Sequence, residues 1–129
     1  MRRKETRHES PIEPRWLEVG DHFVSKVLSA GGGTPETRIH KRVYGTVLNV
    51  RRRYVDMEDG WEVRPCARAV VVVRLKHERD PSRDKEPLPP HESEIAYSEV
   101  LRVLTPEEFA SAERLGWPMN ADLSRERKP

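Results

Sequence analysis

RVYGTVLNVRRR, residues 42–53, is short, apolar and rich in β-branched side chains, with arginine at both ends. A second run, ARAVVVVRLK from Ala67 to Lys76, has the same character. β-Branched residues fit a pleated, half-buried surface, so the two runs are expected to pair as strands of one sheet. On the second run Ala69, Val71, Val73 and Leu75 fall on one face. Arg68, Val70, Val72, Arg74 and Lys76 fall on the other, as the period of two requires. One fully apolar face and one half-apolar face predict a central strand of a small sheet or barrel. Gly45 inside the first strand reads as a bulge or bend.

The rest of the chain has little apolar density. Hydrophobic residues make up 35% and charged residues 36% of 129 residues, against about 45–50% and about 25% in ordinary globular domains. One domain with a small core is expected. Net charge is only +2, from 24 basic and 22 acidic residues, so any nucleic-acid contact must come from local clustering. Cys66 is the single cysteine, which excludes an intrachain disulfide and suits a reduced, cytoplasmic protein. No apolar run reaches the roughly 18–20 residues that span a bilayer.

Outward from the two strands, residues 1–15 alternate basic and acidic side chains around Pro11 and Pro14 and read as a flexible arm. Trp16 to Leu28 reads as a first strand with a turn at Gly20-Asp21. Asp21 beside glycine belongs to turn chemistry rather than to catalysis. Ala30 to Lys41 is a loop around three glycines and Pro35. It contains neither GxxxxGK[ST] nor GxGxxG, so it is no phosphate cradle. Asp59-Gly60 is a hairpin-turn dipeptide, and Pro65 separates Trp61–Val63 from the valine strand. His77 to Glu94, with four prolines, is a long polar surface loop. Ile95 to Leu104 reads as two short strands around a tight turn at Ser98-Glu99. Thr105-Pro106-Glu107-Glu108 then opens a helix, with Thr105 as N-cap, Pro106 at N1 and Glu108 closing a capping box. Gly116 ends it. The expected organisation is an arm at 1–15, a β-barrel at 16–104, a packed helix at 105–118 and a charged tail at 119–129.

Four features together resemble an SH3-like barrel of the Tudor or KOW type. A Gly-Asp turn (Gly20, Asp21) opens the first strand, and a GxV strand (Gly45, Val47, Val50) follows a variable loop. Next come the valine strand (Val70 to Val73) and a tight turn into a last short strand (Ser98 to Leu104) before a helix. The loops at 30–41 and 77–94 are longer than such barrels ordinarily carry, and an OB-like barrel is the alternative. The resemblance implies a mainly β fold of about five strands, and a binding module for nucleic acid, modified peptides or proteins. Methyl-ammonium readers use an aromatic cage, for which Trp16, Phe23, Tyr44, Tyr54, Trp61 and Tyr97 are the available rings.

No catalytic constellation is legible. The five histidines have no metal spacing, Cys66 has no CxxC mate, and no GxSxG elbow occurs. Cys66, after Pro65 at the start of a buried strand, is expected to be a structural thiol. No cofactor or metal is expected. The strongest local asymmetry is six Lys/Arg side chains and no acid between Arg38 and Arg53. The expected interface is therefore a nucleic-acid surface of Arg38, Lys41, Arg42, Arg51, Arg52 and Arg53, with Tyr44 and Tyr54 placed to stack on bases. Asp56, Glu58 and Asp59 follow at once and are placed to neutralise part of it. The alternative is a protein-interaction or assembly subunit of a larger complex, such as a viral particle, with tails and loops that gain order by wrapping neighbours.

Overall fold

The computed structural model describes residues 17–30, 34 and 37–121; the expected arm at 1–15, Trp16 and residues 122–129 lie outside the described residues. The strands are β1 (His22–Ser25), β2 (Leu28–Ala30), β3 (Ile39–Met57), β4 (Gly60–His77), β5 (His91–Ala96) and β6 (Val100–Leu104). A 3-10 turn, Pro81–Arg83, follows β4. A second, Tyr97–Glu99, joins β5 to β6, and one helix, α1 (Pro106–Arg114), comes last. The fold is mainly β, with all pairings antiparallel and the order β5-β4-β3-β1-β6, while β2 lies beside the start of β3. Six strands form one sheet, and its two ends, β5 and β6, do not pair with each other.

β3 and β4 are one hairpin, in register from Ile39↔His77 at its base to Met57↔Gly60 at its tip. Glu58-Asp59 make the turn, one residue earlier than the Asp59-Gly60 expected, and Gly60, opposite Met57, sits at φ 134°, where a side chain would be strained. Pro65 does not end the strand as the sequence suggests. It stands opposite Arg52, one residue before the ladder with β5 begins at Cys66. A proline there has no N–H to donate and is tolerated on an open edge. β1 supports β3 only as far as Thr46, and β5 supports β4 only from Cys66 onward. The last six pairs, Arg52↔Pro65 to Met57↔Gly60, therefore leave the body as a two-stranded arm, roughly 20 Å long at about 3.3 Å per residue.

Alternation along the strands builds two cores, one on each side of the sheet. Phe23, Val43, Val47, Ala67, Ala69, Val71, Val73, Ile95 and Val100 fill the first, with Leu17. Gly45 is not the bulge. The irregularity lies between Val47 and Asn49, and Gly45 instead makes room for the Phe23 ring. Val24, Tyr44, Leu104, Ala112 and Ala121 form the second core, against Leu101, Phe109 and Trp117. The helix that covers it starts as the sequence predicts. Thr105 Oγ1 accepts from the Glu108 N–H, and Glu108 Oε1 accepts from the Thr105 N–H. Phe109 stacks on His22 with ring centres 4.2 Å apart.

The segment after the helix belongs to this layer as far as Ala121, so the expected boundary at 119 falls too early. Ala121 is buried, and its carbonyl accepts from Arg102. The Tyr44 hydroxyl donates to the Pro118 carbonyl. Burial pushes that phenol up to about 12, against the lowering pull of Arg42 and Arg102. A phenol raised above its ordinary value of about 10 gives stability that is complete below pH 10 and is lost as pH climbs through 12. Tyr44→Phe is expected to cost about 1 kcal/mol at pH 8, from the lost hydrogen bond. It should also flatten the decline between pH 10 and 12. Urea midpoints of both proteins across that range check it; equally steep declines would show that Tyr44 does not drive the loss.

Candidate functional site on the β-arm

Sequence alternation and the ladder register decide what each side of the arm presents. Partners directly across an antiparallel ladder point the same way. Val50 with Ala67, Arg52 with Pro65, Tyr54 with Val63, and Asp56 with Trp61 thus share one face. This is the face that carries the first core lower in the sheet, where Ala67 is fully buried. On the arm nothing covers it. Tyr54 is 69% and Trp61 68% exposed, and Val50 and Val63 are exposed beside them. Such rings normally lie in cores or interfaces.

The opposite face carries Arg51, Arg53 and Arg64. Here acids of β4 and β5 lie against them. Arg51 Nε lies 3.8 Å and Arg53 Nη1 3.4 Å from the Glu94 carboxylate on β5. Arg64 pairs with Glu62 at 3.0 Å, and Arg68 with Glu92 at 2.8 Å. All are exposed pairs, of the kind worth at most about 1 kcal/mol each. They lower the positive potential of the face without locking it. Cys66 Sγ donates to Glu94 Oε2, and burial, then Glu94, pushes the thiol up. A raised pKa holds the group in its protonated, less reactive form.

The eight residues expected to form one interface are divided. Arg42 and Tyr44 are corrections, because both are buried. Arg42 donates to the carbonyls of Ser25 and Met119, and Tyr44 to that of Pro118. Neither presents a surface to a phosphate or a base. Arg38 pairs with Glu78 at 3.3 Å. It and Lys41 sit at the base of β3, roughly 43 and 33 Å of chain from Arg51 at about 3.3 Å per residue. Arg51 and Arg53 share Glu94 on one face of the arm. Arg52 and Tyr54 are exposed together on the other, and no ion pair reaches Arg52 among the described residues.

Asp56, Glu58 and Asp59 do not pair with these arginines among the described residues; they leave the tip acidic. The rings suggested for an aromatic cage do not gather either. Phe23 lies in the first core, Tyr44 in the second, and Tyr54 and Trp61 on the arm.

Val63 is the surface residue the sequence did not single out, and Trp61, suggested only for an aromatic cage, stands instead beside Tyr54 and Val63 on the exposed face of the arm. The Asp59-Gly60 dipeptide places a hairpin turn here but one residue off in register: the chain folds back at Glu58-Asp59, which sets Trp61 opposite Asp56 and Val63 opposite Tyr54.

Among the described residues there is no group of three or more His, Cys, Asp or Glu able to hold a metal ion. No helix among them is long and apolar enough to cross a membrane. No protein-family model, curated protein or solved structure matches this chain.

Proposed function

We propose that this chain is a non-catalytic binding module on an SH3-like scaffold, an assembly subunit whose β3–β4 arm docks on a protein partner. The scaffold reading is supported by the strand order and by the 3-10 turn that leads from β5 into β6 beside β1. One observation carries the binding reading. Two large aromatic rings, Tyr54 and Trp61, stand about two-thirds exposed on one face of an arm that the body leaves uncovered, with Val50 and Val63 between and beside them. Trp, Tyr and Arg are the residue types that dominate binding energy at protein interfaces. Here Arg52 completes the set on the same face.

Nucleic acid is the second reading, favoured by Arg52 beside Tyr54 and by the size of a two-stranded ribbon, which fits a major groove. The acidic tip and the shared Glu94 weigh against it.

Tyr54→Ala combined with Trp61→Ala tests the choice. Neither ring is buried, so the thermal midpoint of the double variant is expected to stay within about 2 °C of the parent. Capture of the partner from an extract of the native source should fall roughly a hundredfold, as it does when two central aromatic anchors are removed. Undiminished capture would overturn the reading. So would anisotropy titrations on duplex or single-stranded oligonucleotides that show tight binding falling steeply with salt; that result would establish the second reading instead.

A further inference from the structure

The arm has two backbone edges, and they are not alike. On the β4 side, Pro65 stands at the point where the ladder with β5 stops, and it blunts that edge. On the β3 side the last supports are the β1 ladder, which ends at Thr46, and the exchange between Val47 and the Gly20-Asp21 turn. From Leu48 to Met57 the edge contains no proline and pairs with nothing among the described residues. A free, regular edge of this length is a template for another strand.

The same stretch segregates its charge. Arg51, Arg52 and Arg53 come first, and Asp56, Glu58 and Asp59 follow. Run antiparallel to itself, such a strand sets its basic half against the acidic half of its copy. We propose that the β3 edge of the arm is a self-association site, where two copies of this chain pair antiparallel about a two-fold axis. The proposal rests on the reading of the arm as the working surface and names its occupant, a second copy.

Symmetry fixes the register. A two-fold axis perpendicular to an antiparallel pair sets one residue opposite its own copy, so opposed residues always share a face. Within β3 the acid available to an arginine is Asp56, and only Arg52 shares its face. Arg52 opposite Asp56 places Tyr54 on the axis. Shifting the axis to Arg53 sets that arginine against itself. Shifting it to Val55 sets Arg51 and Arg52 against Asp59 and Glu58, in the turn beyond the strand's end at Met57. The favoured pairing therefore yields a four-stranded sheet. Its middle row on one face is Val63, Tyr54, then Tyr54 and Val63 of the second copy, and an Arg52–Asp56 pair lies on either side. No ion pair occupies Arg52 or Asp56 within one chain among the described residues, so both are available to the copy.

Sedimentation velocity on the full chain, with charge reversals, tests this. The parent is expected to move, as concentration rises, towards twice the 15.0 kDa of one chain. Arg52→Asp alone and Asp56→Arg alone each break both symmetry-related pairs, and each should weaken association roughly tenfold or more. Arg52→Asp and Asp56→Arg together restore the pairs with the signs exchanged, and should bring the dimer back. As an independent check, Tyr54→Cys is expected to form a disulfide-linked dimer under mild oxidation, because opposed residues lie within disulfide reach. Asn49→Cys, displaced from its own copy by about 33 Å in this register at about 3.3 Å per residue, should not.

A parent that stays monomeric at every concentration, or a double reversal that is no better than the singles, would overturn the proposal. If that happens while Tyr54→Ala with Trp61→Ala still abolishes capture of another protein, the arm remains the docking surface and only its occupant was wrong. If both fail, the arm is not the working surface.

Discussion

Gly45→Ala is expected to lower stability by about 3 kcal/mol, a large effect for adding one methyl group. An ideal Cβ at this position lies 2.5 Å from Phe23 Cζ, 2.9 Å from Phe23 Cε2 and 3.0 Å from Val71 Cγ1. Phe23 is fully buried in the first core, and close-packed interiors give a ring little room to retreat. The position is central too, since Gly45 pairs with Phe23 on one side and Val71 on the other. Phe23→Leu makes space at its own cost of about 1–2 kcal/mol. The double variant should cost clearly less than the two singles together, with a coupling of about 1 kcal/mol or more. Urea unfolding of the four proteins measures this. Simple additivity would mean that the added methyl finds room without displacing Phe23.

Arg42→Met is the second large effect, expected to cost about 3–4 kcal/mol. Arg42 lies 6% exposed, with its guanidinium spread over two main-chain carbonyls. Nη1 donates to Ser25 at 2.6 Å, and Nε and Nη2 both donate to Met119. Methionine fills much the same volume but leaves both carbonyls short of a donor. Each such loss inside the fold costs about 1–3 kcal/mol. The damage should be local first. The 117–121 segment is held down by Arg42, by the Tyr44 hydroxyl and by Arg102, so its amides should exchange faster before the sheet opens. Arg42→Lys keeps the charge but not the fork, and should recover only part of the loss. An unchanged unfolding midpoint in Arg42→Met would show that the guanidinium is not the clamp.

These two residues also mark what the sequence could and could not reveal. β3 and β4 were legible because valines at alternating positions leave few other folds open, and Asp59-Gly60 marked their turn to within one residue. Thr105, Pro106 and Glu108 announced the helix start just as directly. What could not be read was cover. Arg42 and Tyr44 share a face of β3 in any strand, but whether that face meets water depends on a helix and a return segment more than sixty residues further on. Nothing local distinguishes Tyr44, buried beneath Trp117 at 5.2 Å, from Tyr54, which is exposed. For the same reason the arginine cluster looked like one patch. Glu94, which draws in Arg51 and Arg53, belongs to a strand whose neighbour is not evident from its sequence. Pro65 misled differently. It reads as a breaker until its place on an open edge is known.

The position of β1 has a consequence for synthesis. β1 lies between β3 and β6, with His22 opposite Thr46 on one side and Leu104 on the other. A chain emerging from the ribosome can zip β3 against β4, and set β1 beside them, once His77 is out. The far edge of β1 then stays bare until Leu104 appears. At roughly 5–20 residues per second, that interval lasts on the order of 1 to 5 s. Slow codons between residues 78 and 103 prolong it, and chains released early within that window carry an open strand that their own sequence can no longer cover.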